Sequence, residues 1–142
     1  MSAASDYLEG EIRKHIFRTG SFTKPTVLAI ALCTAAPTDA STGATIAEVA
    51  NANGYARQTL NPLDANWTAA SSTDGLTDNA SAITFPVCTG SPWGTVTHFA
   101  ILDSATHGAG NVLIHGALAV SKVVGVGDTF SFPIGTLDVT VA

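Results

Sequence analysis

The sequence predicts a mostly β protein, an antiparallel β-sandwich or jelly-roll-like body carrying one N-terminal α-helix. Three observations predict it. Only residues 5 to 19 have a helical apolar period, the rest of the chain breaks into short β-branched and aromatic runs between Gly, Asp and Pro turns, and no β-α-β alternation supports a parallel sheet. With 142 residues the chain fits one domain able to bury a core without disulfide or metal staples.

The helix comes first. Leu8, Ile12 and Ile16 recur every fourth residue with His15 beside them, Asp6 and Glu9 form a candidate capping box, Glu9 and Arg13 are spaced to pair, and Gly20 supplies a stop. Residues 1–24 are read as a helical arm and 25–142 as the β body. A lone helix this short is marginal in water, so its apolar stripe needs a groove in the body or on a partner. Thr26 to Cys33 is nearly all apolar, as in a strand buried on both faces. Six more strands are expected, at Tyr55 to Leu60, Ser81 to Val87, Thr95 to Leu102, Asn111 to Leu118, Thr129 to Phe132 and Thr136 to Val141. In the last of these, Leu137, Val139 and Val141 alternate with Thr136, Asp138 and Thr140. Residues 34 to 54 and 61 to 80 read as long surface loops of the kind that carry function or order against a neighbour.

Composition points to contact rather than chemistry. Only 12% of residues are charged, about half the usual share for soluble domains, and Ala, Thr, Ser and Gly fill the gap. Such a surface suits tight protein contact, since no ions need be desolvated; a compact Thr-rich β protein is the other reading. The net charge of −5 argues against nucleic-acid binding. Arg13, Lys14, Arg18 and Lys24 hold most of the positive charge, leaving only Arg57 and Lys122 in the acidic body, so the arm is suited to an acidic neighbour or is simply a solvated helix face. Cys33 and Cys88 sit singly in apolar runs and read as buried free thiols. The start, Met1 to Asp6, lacks a basic and apolar leader, which predicts synthesis in a cytoplasm, and no run approaches the length of a membrane span.

Catalytic and ligand motifs are absent from the sequence: there is no G-x-S-x-G, no phosphate-binding glycine loop and no H-E-x-x-H. Gly125-Val126-Gly127-Asp128 lacks the lysine and helix of a phosphate loop and reads as a turn between strands. A hairpin of Thr95 to Leu102 with Asn111 to Leu118 would set His98 opposite His115. A zinc site would then need His107 and Asp103 from the connecting turn, so ordinary structural hydrogen bonding is the expectation, with a pH-sensitive contact as the alternative. Trp67 and Trp93 are candidate interface anchors, though Trp93 between Pro92 and Gly94 also fits a packed loop-to-strand corner. Asp74 and Asp78 are the closest acidic pair of the body and carry no glycosidase signature. No enzyme activity, cofactor or metal is expected.

The words Gly54-Tyr55-Ala56-Arg57-Gln58, Ala82-Ile83-Thr84-Phe85-Pro86, Trp93-Gly94-Thr95-Val96-Thr97-His98-Phe99, His115-Gly116-Ala117-Leu118 and Gly127-Asp128-Thr129-Phe130-Ser131-Phe132, with the opening Ser2 to Leu8, resemble a family of small virion proteins of tailed bacteriophages. Its members are labelled tail fibre proteins or resemble head decoration (cement) proteins; the stretch around Thr45 to Asn53 departs from the pattern. The resemblance implies a structural capsid decoration protein on the phage head, binding the major capsid protein as a homotrimer. A tail fibre or adaptor component is the alternative and a glycan-binding module around Trp67, Asp64 and Asn66 the third. Leu8, Ile12, Ile16, Arg13, Lys14, Arg18, Trp67 and Trp93 are the candidate partner-binding residues. Neither nucleic acid nor membrane is an expected partner.

Overall fold

The computed structural model describes residues 2–70 and 73–141. Strands β1 (Ser2–Ala4), β2 (Ala29–Cys33), β3 (Gln58–Thr59), β6 (Gly94–Leu102) and β7 (Val112–Val124) form a five-stranded antiparallel sheet in the order β1-β7-β6-β2-β3. Two short antiparallel pairings complete the β structure, β4 (Thr77–Asp78) with β9 (Asp138–Val139) and β5 (Ile83–Thr84) with β8 (Ser131–Phe132). Helix α1 (Asp6–Phe17) is the single helix among the described residues. The class is thus mostly β, antiparallel, with one N-terminal helix. The long hairpin of β6 and β7 stands where the sequence puts it, whereas four expected strands shrink to the two-residue β3, β5, β8 and β9. Pro133 directly follows β8 and Pro86 lies two residues beyond β5, and neither has an N–H to donate to a longer ladder.

β2 is buried along its whole length, as its unbroken apolar run predicts. Its two faces feed two clusters. Ile30 and Leu32 lie opposite Ile101 and Phe99 and join the main core with Tyr55, Phe85, Trp93, Phe130, Phe132 and Leu137. There Phe85, Phe130, Phe132 and Phe99 meet edge to face with centroids 5.1 to 6.2 Å apart, an arrangement that adds about 0.5–1.5 kcal/mol per pair beyond area burial. Ala31 and Cys33 face the other way with Ala100, Leu102 and Val112, and Ile46 closes over them.

Ile46 belongs to residues 34–54, expected as a surface loop and found instead as a strap over that second face. Thr34 N–H donates to Ala47 O and Val49 N–H to Leu32 O; Gly43 N–H donates to Gly110 O across the sheet. A Cβ on Gly43 would lie 2.0 Å from Ala109 O, so only glycine lets the strap pass that turn. Glu48 on the strap is buried and makes a two-point ion pair with Arg57, Nε to Oε1 at 2.8 Å and Nη2 to Oε2 at 2.7 Å. Arg57 Nη1 donates to Ser104 O and Ala109 O, and Tyr55 Oη donates to Glu48 Oε1 while accepting from Leu32 N–H. Every charged atom of the pair therefore has a partner, the condition for burying it. This is where the motif Tyr55-Ala56-Arg57 acts: it anchors the strap.

The arm and body meet from the first described residue. β1 pairs with β7, Ser2↔Gly116 through Ala4↔Ile114, and Ser2 Oγ donates to Thr140 O near the other end of the chain. Ser5, fully buried, is the N-cap: its Oγ accepts from Leu8 N–H and donates to Val112 O. It takes the capping role expected of Asp6, because an N-cap must be extended, and Ser5 (φ −79°, ψ 160°) is the last extended residue before the helix. The helix ends at Phe17, before Gly20 is reached.

The histidine pair is offset. His98 stands opposite Ala117 and His115 opposite Ala100, two residues out of register. His115 Nε2 donates to Asp39 Oδ1 at 3.0 Å, and His98 Nδ1 bonds Thr97 Oγ1. Among the described residues no group of three His, Cys, Asp or Glu is placed to hold a metal.

Candidate functional site

A large apolar groove lies where the arm, the 61 to 80 loop and the C-terminal segment converge on the sheet. Its floor is Ile101, Leu113 and Ile114 from β6 and β7, and its volume is about 750 Å³. Leu8, Phe22, Pro25 and Leu28 line it from the N-terminal part of the chain, Leu63 and Trp67 from the 61 to 80 loop, and Val139 and Val141 from the C-terminal segment. Lys24 and Asp64 are its charged members, and Lys24 Nζ donates to Pro62 O at 3.2 Å, tying the N-terminal part of the lining to the 61 to 80 loop. Polar groups pointing into it are few, so the groove suits apolar side chains better than sugar hydroxyls.

The helix stripe divides along its length. Leu8 is buried in the main core and Ile12 packs against it, whereas Ile16 is 62% exposed and Phe17 79% exposed. The first half of α1 is thus held by its own body and the last turn projects. Arg13 pairs with Glu9 at 3.3 Å and Lys14 with Glu11 at 2.6 Å, both on the open surface. Exposed pairs of this kind add only about 0.3–0.5 kcal/mol and exchange easily for another partner. Arg18 follows Phe17 at the cap, its N–H donating to Lys14 O, and His15 Nδ1 accepts from Phe22 N–H, turning the chain back toward the groove.

The two tryptophans separate. Trp67 is half-buried in the groove wall, its Nε1–H donating to Leu60 O. Asn66 Nδ2 donates to Asn61 O, so the polar groups of this loop are engaged within it. Trp93 is buried in the core, edge-on to Tyr55 at 5.3 Å with Nε1–H bonded to Asn53 O, and has no surface to offer a partner. Of the eight candidate residues, the structure brings Leu8 and Trp67 to the groove and leaves Ile16, Arg13, Lys14 and Arg18 about the projecting helix end.

Sequence reasoning missed Phe22, Leu28, Leu63 and Val139 as groove residues. Their signal was present as large apolar residues stranded in loops beside prolines, at Pro25 and Pro62-Leu63. Also missed was the facing pair Asp78 and Asp138, directly opposite in the β4–β9 ladder. Asp78 Oδ1 is buried with no hydrogen-bond partner, and desolvation, reinforced by Asp138 and Asp74, holds the Asp78 carboxyl above the ordinary carboxylate range. Burial likewise pushes the Cys33 thiol up to about 12, with Glu48 adding to it and Arg57 opposing.

The groove and the projecting helix end together leave large apolar side chains uncovered on a molecule poor in charge. No curated protein matches this sequence. The family model described as Podophage GP4 fiber I protein gp80, by contrast, matches residues 3–140, and across nearly its whole length the chain belongs to this family of phage fibre proteins.

Proposed function

We propose that the protein is a structural module of a phage fibre, working through contacts with further copies of itself and with neighbouring virion proteins. Membership of the fibre family makes it a phage structural protein, a virion component whose family role is non-enzymatic. The match across residues 3–140 is the observation that carries the reading, and it favours the fibre alternative over decoration of the head. The groove and the projecting end of α1 support it physically, since both expose apolar area that a lone soluble molecule would gain by covering. A homotrimer is the assembly we expect, because closed rings of identical modules cover such surfaces without leaving one open.

Imaging intact particles with a tag at an exposed turn, such as the one containing Gly108, tests the location. Label at the tail fibres supports the proposal. Label spread over the head at the lattice points of the major capsid protein would overturn it and restore the decoration reading.

A further inference from the structure

We propose that the projecting end of α1, Ile16 and Phe17, seats in the apolar groove of a second copy of this chain. The inference rests on the fibre-module reading above and names the surfaces by which copies join. Both halves of the contact are on the one molecule. The tip is held out by an anchored helix: Ser5 caps it inside the body and Leu8 fixes its first turn, so the last turn is presented without ordering cost. The groove is lined by Leu28, Leu63, Trp67, Ile114, Val139 and Val141, and neither Ile16 nor Phe17 of the same chain lines it. The tip of one copy is thus free to enter the groove of another.

Charge selects the same occupant. Arg13, Lys14 and Arg18 surround the tip, while the body beyond Lys24 holds eight acidic residues against Arg57 and Lys122. Of the groove's lining residues Lys24 and Asp64 are charged, and Asp78 and Asp138 directly adjoin the lining residues Thr77 and Val139, so carboxylates outnumber the single lysine along this lining. Residues 9–18 at the tip keep one positive charge beyond the Arg13–Glu9 and Lys14–Glu11 pairs, which complements a groove flanked by more carboxylates than lysines, whereas two tips or two grooves would repel or leave apolar area open. Because tip and groove are different surfaces, the contact propagates head to tail and closes as a ring or through reciprocal exchange.

The test uses the full chain and two exposed-site variants, Phe17→Asp with an intact groove and Leu63→Asp with an intact tip. Sedimentation should show the parent self-associating and each variant alone weakened by about tenfold or more, as for loss of a central apolar anchor. An equimolar mixture of the two variants should recover a one-to-one complex, since one competent tip and one competent groove remain. Unchanged melting temperatures establish that both variants fold. A second readout places Thr19→Cys in one chain and Ala69→Cys in the other; the native Cys33 and Cys88 are buried and do not compete. Oxidation should then yield the mixed disulfide in preference to either self-pair. A monomeric parent, unaltered association of Phe17→Asp, or a mixture of Phe17→Asp and Leu63→Asp that stays monomeric would each overturn the proposal. If Phe17→Asp associates normally yet is lost from particles, the tip binds another virion protein instead. None of these results depends on where the protein sits on the particle, so the fibre reading stands or falls separately by imaging.

Discussion

Replacing Arg57 with Met tests whether the strap is held by its buried ion pair. The side chains of Arg57 and Glu48 are 0% and 3% exposed, so the substitution leaves the Glu48 carboxylate in the interior with only the Tyr55 hydroxyl within bonding distance; His107 Nε2 is 3.7 Å away. The Ser104 and Ala109 carbonyls lose their donor as well. Removing one partner of a buried pair costs about 3–5 kcal/mol. For 142 residues, each kcal/mol lowers the melting temperature by about 3 °C, so Arg57→Met should melt roughly 9–15 °C below the parent. Removing the stranded charge as well, in the double variant Arg57→Met with Glu48→Leu, should recover part of that loss even though the carbonyls remain unpaired. Calorimetry or circular-dichroism melts of the parent, both single variants and the double variant close the cycle. A loss below about 1 kcal/mol for Arg57→Met, or additive losses in the double variant, would refute the argument that the pair is a buried, mutually dependent unit.

Asn79 offers a second lock, since its Nδ2 donates to Ser81 O and Pro133 O and its Oδ1 accepts from Thr136 and Leu137 N–H; Asn79→Leu should cost about 3 kcal/mol or more, read by denaturant titration. The raised Asp78 carboxyl binds its proton more tightly in the folded than in the unfolded chain, so stability falls as pH rises from the ordinary carboxylate range through the folded value. Asp78→Asn should remove that decline and melt higher than the parent at pH 7, with the two curves converging in acid. Cys33, buried with its thiol pushed up to about 12, and Cys88, also buried, should not react with a thiol reagent at pH 8 until the protein is denatured, which a colorimetric count of thiols follows. Gly43→Ala should destabilise by more than 1 kcal/mol, because the clashing atom is a backbone carbonyl that cannot swing aside.

The fold was legible wherever burial is written as a run or a period. The apolar stretch ending at Cys33, the β6–β7 hairpin and the four-residue spacing of Leu8 and Ile12 each led to the right element. β1 was not legible, because Ser2-Ala3-Ala4 has neither alternation nor branched residues; it is a strand only because the edge of β7 is there to receive it. The strap escaped for a related reason. Its two large apolar anchors, Ile46 and Val49, are scattered among small residues, and its ion pair joins Glu48 to Arg57 nine positions on, a spacing that no local rule flags. The histidine register was missed because ladder offsets depend on bulges, and β6–β7 shifts register between Val96 and His98 and between Ile101 and Leu102. At the groove, Trp67 stood out as an aromatic, but the lining around it includes loop residues that only the tertiary fold brings together.

The bond between Ser2 and Thr140 has a consequence for how the molecule is made. Pairing β1 to β7 and fastening Ser2 to the far end of the chain joins residues separated by most of the sequence, and β2 must likewise wait for β6. Beyond the local β6–β7 hairpin, closing the sheet therefore means joining distant segments, and such high contact order places refolding in the slow range of about milliseconds to seconds. Until Thr140 is fastened to Ser2, the last strands and the groove lined by Val139 and Val141 lack the support of that closure. The groove is thereby a late product of folding: a chain in which Ser2 and Thr140 have not met does not present it complete.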